Sequence, residues 1–86
     1  MSKFSLSFSD EVLDEASRLD ESVRNRIRVA IEEKLVIDPE TFGKPLRSIL
    51  AGARSLRVGD WRIAYLVKGK VVYIVSIFHR SQGYSK

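Results

Sequence analysis

The chain has 86 residues, 44% hydrophobic and 30% charged, an ordinary balance for one globular domain spanning 1–86, with no disorder signal. It has no cysteine, which excludes disulfides and cysteine-ligated zinc; no stretch nears the roughly 20 apolar residues of a membrane span, and the first residues lack a signal-peptide run, so a cytoplasmic protein is expected. The net charge of +4 hides an asymmetry: residues 1–43 carry six Lys/Arg against ten Asp/Glu, and residues 44–86 carry nine against Asp60 alone. So basic a half points to an anionic partner, either a nucleic acid or an acidic protein.

Phe4, Leu6 and Phe8 alternate with polar residues and predict a half-buried strand. Ser9 or Asp10 then caps a helix whose Val12, Leu13, Ala16 and Leu19 share a face. Asp20 is a second cap, opening a longer helix in which Val23, Ile27, Ala30, Ile31 and Leu35 recur at helical steps. That helix should stop near Ile37, since Pro39 disfavours helical backbone at Asp38. Residues 38–52, with Pro39, Gly43, Pro45 and Gly52, are expected to be a connecting loop. Period two follows: strands over residues 54–58, 61–67 and 71–78, with Gly59-Asp60 and Lys68-Gly69-Lys70 as turns. The last strand is nearly all apolar and belongs near the sheet centre. The expected fold is α+β in the order β-α-α-β-β-β, two helices packed on a small, mainly antiparallel sheet.

The sequence holds no phosphate-binding glycine loop, no metal-ligand cluster and no serine in a nucleophile-elbow context. What remains is a set of strand arginines, one histidine and a tyrosine near the carboxyl end. If Leu56 and Val58 face the helices, Arg57 faces the other side of the sheet. Arg62 lies opposite Trp61, Ile63 and Tyr65, and Ser76, Phe78 and Arg80 share a face, so Arg57, Arg62 and Arg80 are expected to converge. Guanidiniums held together repel one another, a cost that makes sense where a phosphodiester visits; the plainer alternative is that strand arginines only guard a sheet surface.

Lys44-Pro45-Leu46, the run from Ser55-Leu56-Arg57-Val58-Gly59-Asp60-Trp61 through Arg62-Ile63-Ala64-Tyr65, then His79-Arg80 and Tyr84, resemble the RelE branch of the RelE/ParE toxin superfamily over nearly the whole chain. The resemblance implies a toxin of a type II toxin–antitoxin system: a ribosome-dependent endoribonuclease that cuts mRNA in the decoding site through the 2′-hydroxyl, with no metal and no cofactor. By that likeness Arg62 holds the attacking hydroxyl and the phosphate, Arg80 stabilises the developing charge, and Tyr84 stacks on a base. Arg57 lines the same groove, with Lys44, Arg47, Arg54 and His79 as further RNA contacts. The implied partner is a RelB-like antitoxin that covers the basic face and alone contacts operator DNA; no membrane is involved. Ala53 and Ser55 stand where well-studied members carry lysines, and Trp61 where tyrosine is usual.

Arginine stays protonated and tyrosine titrates near 10, so His79 is the side chain suited to proton transfer at neutral pH. Alternation nonetheless sends His79 and Arg80 to opposite faces while the strand lasts. A catalytic and a structural or RNA-contacting role for His79 both stand. Two other functions are set beside the nuclease: a ParE-like DNA gyrase inhibitor, and a catalytically weak relative serving mainly as antitoxin ligand.

Overall fold

A strand leads into two helices, and the chain then builds a mixed sheet beneath them. The computed structural model describes residues 3–46 and 52–82. Strand β1 (Ser5–Phe8) is followed by α1 (Asp10–Ser17) and α2 (Glu21–Ala30), which runs on as a wider π-helical turn over Ile31–Leu35. A short helix α3 (Pro39–Phe42) and strand β2 (Lys44–Pro45) precede β3 (Arg54–Val58), β4 (Trp61–Lys68) and β5 (Val71–His79). The sheet order is β1-β5-β4-β3-β2; β1 runs parallel to β5 and every other neighbour is antiparallel. The α+β architecture and the strand–helix–helix–meander order match the expectation. The loop expected over residues 38–52 does not hold throughout, because it contains α3 and β2.

The apolar periodicities meet between the helices and one face of the sheet. Val12, Ile27, Ile31 and Leu35 pack on Leu56, Ile63, Tyr65, Val72, Ile74 and Ile77. Burying side chains of this kind contributes about 1.5–3 kcal/mol each relative to exposure. Tight turns set the register of the meander. Gly59 and Gly69 take φ of 61° and 60°, and among the described residues no non-glycine residue has positive φ. This suits the two-residue hairpin turn that needs a left-handed residue only at its first central position.

Ser9 links the first helix to the sheet. Its Oγ accepts from the Val12 N–H at 3.0 Å, capping α1, and donates to the Val75 carbonyl at 3.2 Å. Val75 sits at an irregularity in the β4–β5 ladder, between the Ala64–Ser76 and Tyr65–Ile74 pairs. Strand β1 pairs only as far as Ile74, so the edge of β5 beyond it needs other partners. Glu15 supplies them: its carboxylate accepts from the Ile77 N–H at 2.9 Å and from Ser76 Oγ at 3.2 and 3.3 Å. A sheet edge is thus closed by a helix side chain rather than left as a row of orphan donors. Among the described residues no helix is long and apolar enough to cross a membrane.

Candidate functional site

Alternation along β3 and β4 sorts the arginines. Leu56 pairs with Ile63 on the core side, and Arg57 pairs directly with Arg62 on the other side. Two like charges opposite each other in neighbouring strands cost several tenths of a kcal/mol or more. Both guanidiniums turn to the tip of the hairpin: Arg57 Nε and Arg62 Nη1 each donate to the Gly59 carbonyl at 3.3 Å, and Arg62 Nη1 also donates to the Trp61 carbonyl at 3.2 Å. Backbone carbonyls fix the groups without cancelling their charge. The positive φ of Gly59 shapes the turn that presents this acceptor.

A concave space of about 250 Å³ opens beside the pair, lined by Arg57, Arg62, Lys44, Ser55 and Phe42. Lys44 arrives on β2, opposite Ser55, and Ser55 in turn faces the small Ala64 on β4. Among the described residues its lining therefore has three cations, one hydroxyl and one aromatic ring, and neither a carboxylate nor a histidine. Such a set binds an anion; it also offers the anion's organic part a flat apolar wall.

The wall carrying Phe42 and Lys44 is held by a buried clamp. Tyr65, fully buried, donates its hydroxyl to the Pro39 carbonyl. Arg54 donates to the Glu40 carbonyl at 2.7 Å and to the Gly43 carbonyl, meeting acceptors left open by the short helix α3. Gly43 is the close approach that makes this packing feasible, since a Cβ there would stand 1.7 Å from the Tyr65 hydroxyl oxygen. Burial pushes the Tyr65 hydroxyl above its ordinary range, while its hydrogen bond with Arg54 works in the other direction.

The sequence-based site residues thus divide into groups. Arg57, Arg62 and Lys44 line one cleft. Arg80 follows the end of β5 and lies at the same hairpin turn: its backbone N–H donates to the Asp60 carbonyl at 2.8 Å, and its Nε is 3.5 Å from the Asp60 carboxylate. Arg54, expected to contact RNA, is instead committed to the clamp; it shares a face with Leu56, and its Nε is buried. His79 pairs with Trp61 on the core-facing register, its ring 5.3 Å from the indole in an edge-to-face contact. Its Nδ1 lies 2.8 Å from Ser81 Oγ and accepts the Ser81 N–H at 3.2 Å. Arg47 and Tyr84 lie outside the described residues. Sequence reasoning missed Phe42, which the clamp brings to the cleft; Ser55, at a position where well-studied members carry a lysine, lines it opposite Lys44.

Comparison with known proteins supplies an independent view. The family model described as ParE toxin of type II toxin-antitoxin system, parDE, matches residues 6–84. Among solved structures, the toxin–antitoxin complex RelBE2 from Mycobacterium tuberculosis matches at 26% identity, covering 95% of this chain and 97% of that one, with a TM-score of 0.84. The intact RelBE complex from E. coli matches at 25% identity over 96% and 98% of the two chains, with a TM-score of 0.71. A chromosomal ParDE system from P. aeruginosa shares the fold at 17% identity, over 88% and 95%, with a TM-score of 0.73. No curated protein sequence matches the chain.

Proposed function

We propose that this chain, which belongs to the ParE toxin family of type II toxin–antitoxin systems, is an endoribonuclease that cuts mRNA in the ribosomal decoding site. The observation that carries this reading is the Arg57–Arg62 pair, set across the strands with no carboxylate among the described residues lining the cleft beside it. In the reaction, the ribose 2′-hydroxyl gives its proton to water and its oxygen attacks phosphorus; the bond to the 5′-oxygen breaks, that oxygen takes a proton from water, and a 2′,3′-cyclic phosphate and a 5′-hydroxyl result. Arg57, Arg62 and Lys44 hold the phosphate and neutralise the charge that builds on its oxygens. In this reading Arg80 steadies the departing 5′-oxygen and Tyr84 stacks on a base.

Among the described residues lining the cleft there is neither a histidine nor a carboxylate to carry a proton. Their contribution is orientation and fixed charge. In-line alignment supplies on the order of 7–11 kcal/mol in well-arranged intramolecular reactions, and pre-placed cations add stabilisation where charge develops. His79, on the core-facing register of β5, serves as a structural partner of Trp61 in this account.

A RelB-like antitoxin is the proposed partner, and operator DNA is reached only through it. The RelBE structures from M. tuberculosis and E. coli are toxin–antitoxin complexes. An apolar groove of about 360 Å³, lined by Leu6, Phe8, Val12, Leu13 and Ile27 with Arg24, Arg28 and Glu32, suits the apolar face of an amphipathic segment. Such binding is tight and weakens with salt.

The ParE family match, with no histidine or carboxylate among the described residues lining the cleft, favours a second reading, inhibition of DNA gyrase. Purified toxin added to ribosomes programmed with mRNA, and in parallel to gyrase with relaxed plasmid, separates the two. Broken message with normal supercoiling is expected. Intact message with blocked supercoiling would replace the nuclease reading by the gyrase one. With neither effect, the chain would be an antitoxin ligand without its own activity.

A further inference from the structure

We propose that Phe42 is a stacking platform for an RNA base, and that with Lys44, Ser55, Arg57 and Arg62 it forms a nucleotide subsite. The inference rests on the RNA-cutting reading above and adds a base contact to it. Phe42 is 47% exposed, an unusual state for a phenylalanine whose backbone is anchored next to a buried clamp. Core packing therefore does not account for its ring. Lys34 Nζ sits 5.9 Å from the ring centroid, and the ring also forms one wall of the cation-lined cleft.

The composition of the cleft distinguishes its ligand. A bare phosphate or sulfate needs cations and donors and gains nothing from a phenyl wall. A nucleotide presents a charged phosphate and a flat π-face together, which is the combination this cleft offers. Ser55 stands between Lys44 and Ala64 in the strand register, so a short hydroxyl with a small neighbour forms part of the cleft surface. That hydroxyl is suited to a ribose 2′-hydroxyl, which both donates and accepts. Stacking on any base is tolerant of sequence, so Phe42 supports affinity for single-stranded RNA without itself selecting a codon.

The test uses the purified full chain and a labelled single-stranded RNA that keeps its 2′-hydroxyls, without ribosomes, so that a ribosome-dependent nuclease binds it without cutting. Fluorescence anisotropy is read for wild type, Phe42→Leu and Phe42→Tyr, alongside an abasic version of the same probe. Phe42→Leu keeps an apolar side chain but removes the π-face; it should weaken binding roughly tenfold, and Phe42→Tyr should restore it. The abasic probe should bind all three proteins alike. Equal affinity of wild type and Phe42→Leu for the base-bearing RNA would overturn the proposal, and so would an equal loss on the abasic probe, which would mark a structural role. Loss of affinity for antitoxin with RNA binding unchanged would also overturn it, in favour of a protein contact. Cleavage on programmed ribosomes keeps the two levels apart. Wild type that cuts no message defeats the nuclease reading, whereas wild type and Phe42→Leu that bind and cut equally defeat only the stacking.

Discussion

Replacing Gly43 by alanine probes the clamp that sets one wall of the cleft. The new Cβ would stand 1.7 Å from the Tyr65 hydroxyl oxygen, 2.6 Å from Cζ and 3.0 Å from Cε1. Tyr65 is fully buried, so the ring has little room to retreat. Displacing it breaks the hydrogen bond to the Pro39 carbonyl. Overpacking costs about 1–3 kcal/mol, and leaving a buried donor and acceptor unpaired about 1–3 kcal/mol more. The stiffer unfolded chain returns about 0.4–1 kcal/mol. The net expectation is a loss of about 3 kcal/mol, a lowering of Tm by roughly 12–24 °C in a domain of this size. Urea titration followed by tryptophan fluorescence measures it, Trp61 being the single tryptophan. Tyr65→Phe in the same background removes the atom in closest conflict and should recover part of the loss, so the two changes are not additive. A Gly43→Ala protein as stable as wild type would refute the clamp.

Two further outcomes concern groups that the fold turns inward. Because burial raises the Tyr65 pKa above its ordinary 10.0, the folded state holds this proton when the unfolded state has released it. The associated stability is complete below pH 10 and is lost as pH rises through the higher folded value; stability of wild type minus that of Tyr65→Phe should therefore shrink above about pH 10, as denaturation at stepped alkaline pH will measure. Glu15→Ala leaves the Ile77 N–H and Ser76 without their carboxylate partner, and should destabilise by about 1–3 kcal/mol with faster hydrogen exchange at Ile77; unchanged exchange there would count against the capping role.

How legible the molecule was depends on whether a feature is local. The meander and both long helices follow from periods of two and three to four, and from glycines at the hairpin tips. The pairing of Arg57 with Arg62 follows from alternation and a two-residue turn, both present in the sequence. Helix α3 and β2 were not legible, because Tyr65 and Arg54 hold the segment from positions 26 and 14 residues away in the chain. Arg54 itself carried a usable signal: it alternates with Leu56 and Val58 and so belongs on the core side, although its basic character suggested RNA. The role of Glu15 has no local signal, since nothing in its helical pattern shows that β1 ends short of Ile77. Phe42 was hidden for the same reason as α3. The opposed faces of His79 and Arg62, by contrast, follow from counting along β4 and β5.

The salt dependence of RNA binding tests most directly whether the cleft grips a sugar–phosphate chain. Each phosphate neutralised on a single strand contributes about 0.7 to the slope of log affinity against log salt. Removing both Arg57 and Arg62 as alanines should therefore reduce that slope by about 1.4 and abolish cutting on programmed ribosomes, with the fold retained. A double variant whose slope equals that of wild type would show that these two guanidiniums do not meet the phosphates.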